Sequence, residues 1–192
     1  MKLPPITTLI AFSCLFATCL FQSAVNAEDK IKPESHKPAP AVLAMFKLGC
    51  GDWESKAFAD GERHMTSVIA MDPKFARPYY VRACCRHMQH NYEGALSDCN
   101  TCIAIEPNGN PIFYFERAIT EYRLKQLDPC IKDCDIALKR APTFPGSYLY
   151  RANAKSGKGD REGALRDCEA YLRARPANEQ GLKLKQRLLS GW

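Results

Sequence analysis

The sequence predicts an all-α protein, an α-solenoid in which pairs of antiparallel helices stack on one another. Apolar and small residues recur at three- and four-residue steps through most of the chain, which is the period of a helix. One ordered set of residues also occurs three times, opening at Tyr79, Tyr114 and Tyr148, which lie 35 and then 34 residues apart. Repeats of this length indicate a solenoid, because each unit buries its apolar face only against its neighbours.

The three units share the order of their residues. Arg-Ala follows each tyrosine at 82–83, 117–118 and 151–152, then comes a small residue, then Asp-Cys at 98–99, 133–134 and 167–168, and a proline closes each unit. Each unit divides into two helices, since breakers such as His90-Asn91 interrupt the helical pattern. The residue before a proline is biased out of the helix, so the second helix ends there.

This pattern resembles the tetratricopeptide repeat (TPR) family, in its Arg-Ala/Asp-Cys form, over residues 76–176. Two positions differ from the usual pattern: arginine replaces the leucine before the small residue, and cysteine replaces the aromatic of the second helix. The resemblance implies a TPR-like superhelix with repeats at 76–109, 110–144 and 145–177.

The flanks of these repeats predict further elements. Residues 41–75 are interpreted as a degenerate first repeat, whose first helix breaks at 49–52. Residues 178–192 predict a C-terminal capping helix, with Leu182, Leu184, Leu188 and Leu189 as its contacts. Residues 28–40, rich in Pro, Lys and Glu, predict a flexible linker.

The N-terminus has the features of a secretory signal peptide over residues 1–27. Lys2 precedes an apolar stretch at 6–21, and small residues at 25–27 predict cleavage after Ala27. The apolar stretch is shorter than the roughly 20 residues that span a bilayer, which favours a cleaved signal over an anchor. We therefore expect a secreted or periplasmic protein that meets the membrane only during export.

The resemblance also implies where a partner binds. In TPR proteins the concave groove is lined by outward residues of the first helix of each repeat, and here these are Tyr80, Cys84, His87, Met88, Phe115, Ile119, Tyr122, Arg123, Leu149, Tyr150 and Asn153. An apolar surface of this kind predicts a protein or peptide partner with apolar anchors. The TPR proteins that hold the terminal carboxylate of heat-shock chaperones use Lys and Asn, and of these positions only Asn153 fits, which argues against that specialised role.

The recurring Arg and Asp predict structural ion pairs. Antiparallel helices would bring Arg82 near Asp98, Arg117 near Asp133 and Arg151 near Asp167. Such a pair contributes about 0–1 kcal/mol when exposed. When it is buried, the loss of one partner costs about 3–5 kcal/mol.

Other functions find less support. The net charge is +6, but the basic residues are spread at helical spacing rather than clustered with stacking aromatics, so no nucleic-acid partner is expected. The cysteines and histidines around Cys99-x-x-Cys102 leave open a metal or thiol site, although a core role also explains these cysteines. The sequence contains no nucleotide-binding glycine motif and no catalytic motif, so neither an enzyme nor a cofactor is expected. A structural, self-associating envelope component is the remaining alternative.

Overall fold

The computed structural model describes residues 36–190, and in this part of the chain all regular secondary structure is helical. The helices are α1 (Pro40–Glu54), α2 (Phe58–Met71), α3 (Ala76–Met88), α4 (Tyr92–Ile105), α5 (Pro111–Arg123), α6 (Leu127–Arg140), α7 (Pro145–Gly157), α8 (Arg161–Ala174) and α9 (Glu179–Ser190). The all-α prediction is confirmed. The predicted signal peptide and residues 28–35 of the predicted linker lie outside the described residues, as do 191 and 192.

The helices form four antiparallel pairs and a final single helix. We call α1, α3, α5 and α7 the A helices, and α2, α4, α6 and α8 the B helices. Each A helix contacts the B helix that follows it, and each B helix contacts the next A helix along the chain. Adjacent A helices also contact each other, so they form one continuous layer of the solenoid. None of the helices within residues 36–190 is long and apolar enough to cross a bilayer.

Local chemistry sets the ends of the helices. The side chains of Asn91 and Asp160 accept hydrogen bonds from the backbone N–H groups of Gly94 (3.0 Å) and Gly163 (2.8 Å) at the starts of α4 and α8. Pro111 begins α5. Proline has no backbone N–H, and at the first position of a helix this costs nothing, because no helical carbonyl is placed to accept from that N–H. These caps mark the same boundaries that the repeat pattern predicts.

The turn from each A helix to its B helix contains one residue with a left-handed backbone. These residues are Lys56 (φ 63°), His90 (φ 62°), Lys125 (φ 62°) and Gly159 (φ 83°). Glycine adopts this conformation freely, whereas a side chain there costs about 1–2 kcal/mol. The turn at Lys56 shows that residues 40–71 form the same hairpin as the later repeats.

The first repeat corrects one sequence expectation. Its first helix does not break at 49–52 but continues to Glu54, and the chain turns at 55–57. Gly49 lies inside this helix, close to α2, where a Cβ atom would meet the end of the Met65 side chain. A Cβ atom at Gly61 of α2 would lie 2.9 Å from Cys85 Sγ. These glycines allow the close helix contacts that alanines allow in later repeats.

Two clusters of the core between the helices consist of small residues. In one cluster Ala83 packs with Ala95 and Cys99, and in another Ala118 and Ala154 pack with Cys130 and Cys134. Side chains of this size let the helix axes approach closely, so the stack has little room for larger residues.

The last helix, α9, packs on α8 with one face. Leu184 and Leu188 are buried, as predicted for a capping helix, whereas Leu182 and Leu189 are 48% and 57% exposed. The expectation that all four leucines make contacts was therefore wrong. Residues four apart share a helix face, and 182 and 189, which are seven apart, lie on the opposite face.

Candidate functional site

A ladder of bidentate ion pairs connects the two helices of each repeat. Arg82 donates from Nε and Nη2 to the Asp98 carboxylate at 2.9 and 2.7 Å. The corresponding distances are 2.5 and 2.9 Å from Arg117 to Asp133, and 2.8 and 2.6 Å from Arg151 to Asp167. The three aspartates are buried, so each arginine offsets part of the cost of burying a carboxylate.

Each of these arginines also reaches the preceding repeat, which the sequence reasoning missed. Nη1 donates to Thr66 in the case of Arg82 (3.1 Å), to Asn100 in the case of Arg117 (2.9 Å) and to Asp135 in the case of Arg151 (2.5 Å). The three acceptors occupy equivalent places on successive B helices. A signal was present, because polar residues recur there at the spacing of the repeats.

The position four residues after each arginine differs between the repeats. In α3 it is Arg86, which donates to Asp98 at 2.9 Å, and in α7 it is Lys155, which donates to Asp167 at 2.8 Å. In α5 it is the acidic Glu121. The middle repeat therefore has a carboxyl group where its neighbours have a second cation.

Glu121 is an uncompensated buried carboxyl. It is 6% exposed, its Oε1 lies 3.9 Å from Arg117 Nε, and its Oε2 has no hydrogen-bond partner. Burial, reinforced by the negative charge of Asp133 and opposed by Arg117, raises the pKa of Glu121 to about 8. Where the flanking repeats have a second cation, the middle repeat therefore has a carboxyl group whose raised pKa favours the neutral form.

The residues predicted to line the binding groove divide into two groups. Tyr80, Cys84, His87, Phe115 and Leu149 are buried, so the expectation that they form an exposed apolar surface is corrected. The other six are partly exposed, and we call them the A-helix face: Met88, Ile119, Tyr122, Arg123, Tyr150 and Asn153.

Aromatic contacts between neighbouring repeats explain this burial. Phe115 meets Phe144 at a centroid distance of 4.8 Å and Tyr150 at 5.7 Å, both edge to face. Tyr80 meets Phe113 at 5.5 Å. Each such pair stabilises the stack by about 0.5–1.5 kcal/mol beyond the free energy gained by burying its surface. These rings therefore stabilise the interface between neighbouring repeats.

A polar pair lies beneath the face, and the sequence reasoning missed one member of it. His87 Nδ1 lies 3.3 Å from Glu116 Oε1 and 3.4 Å from Thr120 Oγ1. Glu116 stands on α5, and its charge contributes to raising the pKa of the buried Tyr80 and Cys84 after burial itself. Nothing in the repeat pattern marks Glu116, because no equivalent residue recurs.

The far end of the face carries Arg123 and two tyrosines, Tyr122 and Tyr150. The rings of Tyr122 and Tyr150 meet edge to face at 5.8 Å. Burial raises the pKa of Tyr150 to about 12, with Arg123 opposing the rise. Arg123 makes no ion pair with the described residues, and its Nε is shielded from solvent without a hydrogen-bond acceptor.

All eight cysteines of the described part are buried, and none of them forms a disulfide. Burial raises the pKa of Cys50 and of Cys85 to about 12, which disfavours the reactive thiolate. Across residues 36–190 no three His, Cys, Asp or Glu side chains come together as metal ligands would. The cysteines, including the pair at 99 and 102, act as small core residues in these contacts.

No protein-family model matches the chain. Among curated proteins, it is 30% identical over 87 residues to Hsc70-interacting protein 1 of Drosophila melanogaster, covering 45% of this chain and 23% of that protein. It is 31% identical over 98 residues to human DnaJ homolog subfamily C member 7, covering 50% and 20%. It is 29% identical over 147 residues to small glutamine-rich tetratricopeptide repeat-containing protein 2 of Saccharomyces cerevisiae, covering 77% and 36%.

Solved structures share the architecture. The MamA structure from Desulfovibrio magneticus matches with a TM-score of 0.74 at 10% identity, covering 80% of this chain and 86% of that one. The first TPR of Spaghetti (RPAP3), bound to an HSP90 peptide, matches with a TM-score of 0.58 at 22% identity, covering 60% and 91%. The chain spans about a third or less of the length of the curated relatives it matches. Together with the stacked helix pairs, these likenesses show that the described part of the chain is an α-solenoid with the fold of tetratricopeptide-repeat domains.

Proposed function

We propose that this chain is an exported scaffold that binds a protein or peptide partner along its A-helix face and performs no catalysis. The observation that carries the proposal is the face itself. Partly exposed apolar, aromatic and polar side chains follow one another across α3, α5 and α7, on a layer of contacting helices. A rigid surface that combines aromatic rings with a few polar groups is the usual composition of a binding site.

The relatives support a protein or peptide partner. The first TPR of Spaghetti binds an HSP90 peptide, and a second RPAP3 domain binds an HSP70 peptide. For this chain we infer the class of partner and not those peptides, because its groove positions are largely Tyr, Phe, Ile and Cys rather than Lys and Asn.

Partner capture tests the face. The chain without residues 1–27 would be immobilised and exposed to proteins of its own compartment, in parallel with an Ile119→Asp variant. Ile119 is partly exposed on α5, so an acid there should abolish capture while the helical content is kept. Leu182→Asp is the matched control, because Leu182 is 48% exposed on α9, outside the face.

The outcomes of this capture are separable. We expect wild type and Leu182→Asp to retain the same proteins and Ile119→Asp to lose them. Equal capture by all three would refute binding on the A-helix face. If the chain captures only itself, and sedimentation shows assembly that grows with concentration, the self-associating alternative replaces the proposal.

Export is tested separately at the N-terminus. The mass and N-terminal sequence of the protein from its native host should show a chain that begins at Glu28, after cleavage at Ala27. A mature protein that retains residues 1–27 would refute a cleaved signal peptide and leave the binding proposal untouched.

A further inference from the structure

The exposed large apolar side chains of the solenoid lie at its two ends. Within residues 36–190 all of them belong to the first hairpin or to α9, and the helices from α3 to α8 expose none. Leu48 of α1 is 59% exposed, and Leu182 and Leu189 of α9 are exposed to a similar degree. The end units of a solenoid normally present a polar outer face. Apolar ends therefore indicate that each end packs against a further neighbour.

The uncovered face of α1 is the face by which a later A helix packs on the preceding B helix. In α3, Arg82 hydrogen-bonds to α2 and Cys85 packs on it. The equivalent residues of α1, 34 positions earlier, are Leu48 and Gly51. Both are exposed, as is Ala44 on the same face, and a Cβ atom at Gly51 would meet nothing within 4 Å. No helix within residues 36–190 covers this face, so it is open to a helix from outside.

The uncovered face of α9 is the face by which an earlier A helix packs on its own B helix. Lys185 Nζ lies 3.0 Å from Glu169 of α8, so α9 contacts α8 as an A helix contacts the preceding B helix. Leu189 lies 34 residues after Lys155 of α7, which donates to the B helix that follows it. Leu182 lies two helical turns before Leu189 on the same face. Within the described residues no helix packs there, and both leucines remain exposed.

The two uncovered faces complement each other in shape. Leu182 and Leu189 lie seven residues apart, about 10.5 Å along α9. Ala44 and Gly51 of α1 have the same spacing. If α9 lies antiparallel to α1 of a second copy, as neighbouring A and B helices do, each leucine meets one of these small residues. Large side chains of one helix that fit over small ones of the next give the close packing found between helices.

The charges of the two ends are also opposite. Residues 40–71 contain three Lys or Arg and four Asp or Glu, whereas residues 161–190 contain seven Lys or Arg and four Asp or Glu. Opposite net charges favour contact between different ends and disfavour contact between two α9 ends. The partner that fits each end, in shape and in charge, is therefore the other end of a second copy.

We propose that copies of this chain stack end to end, with α9 of one copy on the uncovered face of α1 of the next. The contact joins two different surfaces, so it does not close on itself and can add further copies. Because one helix pair buries a small area, the assembly is weak and grows with concentration. The contact does not use the A-helix face, so the stacking goes beyond the proposed function and does not depend on it.

Sedimentation velocity at increasing concentrations of the chain without residues 1–27 tests the stacking. Wild type should form dimers and longer species. Leu48→Asp and Leu189→Asp should each raise the dissociation constant at least about tenfold, because the acid would be buried in the contact without a partner. Leu43→Asp is the matched control and should assemble as wild type does, since Leu43 is exposed on α1 but lies about 140° around the helix from Leu48.

A mixture of the two blocked variants gives the decisive comparison. Leu48→Asp keeps an intact α9, and Leu189→Asp keeps an intact α1 face. Each variant alone should therefore sediment as a monomer, and the mixture should form one-to-one dimers and nothing longer. Such dimers would also show that both variants are folded, which circular dichroism would check separately.

Three results would overturn the stacking. They are a wild type that stays monomeric up to about 1 mM, assembly of either blocked variant by itself, which indicates contact between identical ends, and a mixture that stays monomeric. The proposed function fails separately, because both blocked variants should still capture the partner proteins that wild type captures on the A-helix face.

Discussion

Replacing Glu121 with glutamine should make the protein more stable at neutral and alkaline pH. The buried carboxyl titrates at a pKa of about 8 in the folded chain and near its ordinary value of 4.5 when unfolded. The folded state therefore holds the proton more tightly. Its contribution to stability is fully present below pH 4.5 and is lost as the pH rises through 8. Glutamine has nearly the same shape as the protonated acid and carries no charge at any pH.

The size of the effect follows from the two pKa values. They differ by 3.5, and each pKa unit corresponds to about 1.4 kcal/mol. Between pH 4.5 and 8 the wild type should lose about 1.4 kcal/mol of unfolding free energy per pH unit relative to Glu121→Gln. The variant should be more stable by about 3 kcal/mol at pH 7 and by about 5 kcal/mol well above pH 8, and equal to wild type below pH 4.5.

Urea unfolding followed by far-ultraviolet circular dichroism would measure this difference across the pH range. The difference between the two proteins isolates Glu121, because all other titrating groups are shared. Glu93→Gln is the matched control, since Glu93 is exposed on α4, and it should stay within about 0.5 kcal/mol of wild type. If Glu121 served instead as an ordinary ion-pair partner of Arg117, the variant would be less stable at pH 7, and that result would refute the reasoning.

Three further outcomes follow from the geometry. Arg117→Met should cost about 3–5 kcal/mol of unfolding free energy. Arg82→Met should cost less, because Asp98 keeps Arg86 as a partner at 2.9 Å, whereas the residue beside Asp133 at the equivalent position is the acidic Glu121. Equal losses of stability in the two variants would contradict this. In the chain without residues 1–27, a thiol reagent should label none of the eight buried cysteines in the native state and all of them after denaturation, and rapid native labelling would contradict their burial. Lys56→Gly should stabilise the protein by up to about 1 kcal/mol in thermal unfolding, because glycine adopts the positive φ of 63° at this exposed turn without strain. A loss of stability would show that Lys56 is not strained there.

The architecture could be predicted from the sequence because the same residues recur in the same order in each repeat. The tyrosine, the Arg-Ala pair and the closing proline recur at a spacing that only stacked helix pairs satisfy. Tertiary structure had little to override, since the helical period, the caps and the prolines all indicate the same boundaries. The helix boundaries of the first repeat were harder to predict, because the glycines at 49 and 61 are small contact residues within helices and do not end them.

The composition of the site could be predicted only in part. The resemblance to the repeat family implies which A-helix residues face the groove, but it cannot tell whether the next repeat covers them. Phe144 reaches across to cover Phe115 in this way. Glu116 and Glu121 were missed for a related reason, since each is distinctive only through charges that other helices bring near it.

The sequence by itself determined that this chain folds into stacked helix pairs, because repetition and local periodicity are properties of the linear order of residues. Tertiary structure alone decided which aromatic rings stay partly exposed and which carboxyl is buried with a raised pKa. It also decided that Arg123 lacks a partner within the described part of the chain. Burial and charge pairing depend on distances between helices far apart in sequence, and a repeat pattern contains no record of those distances.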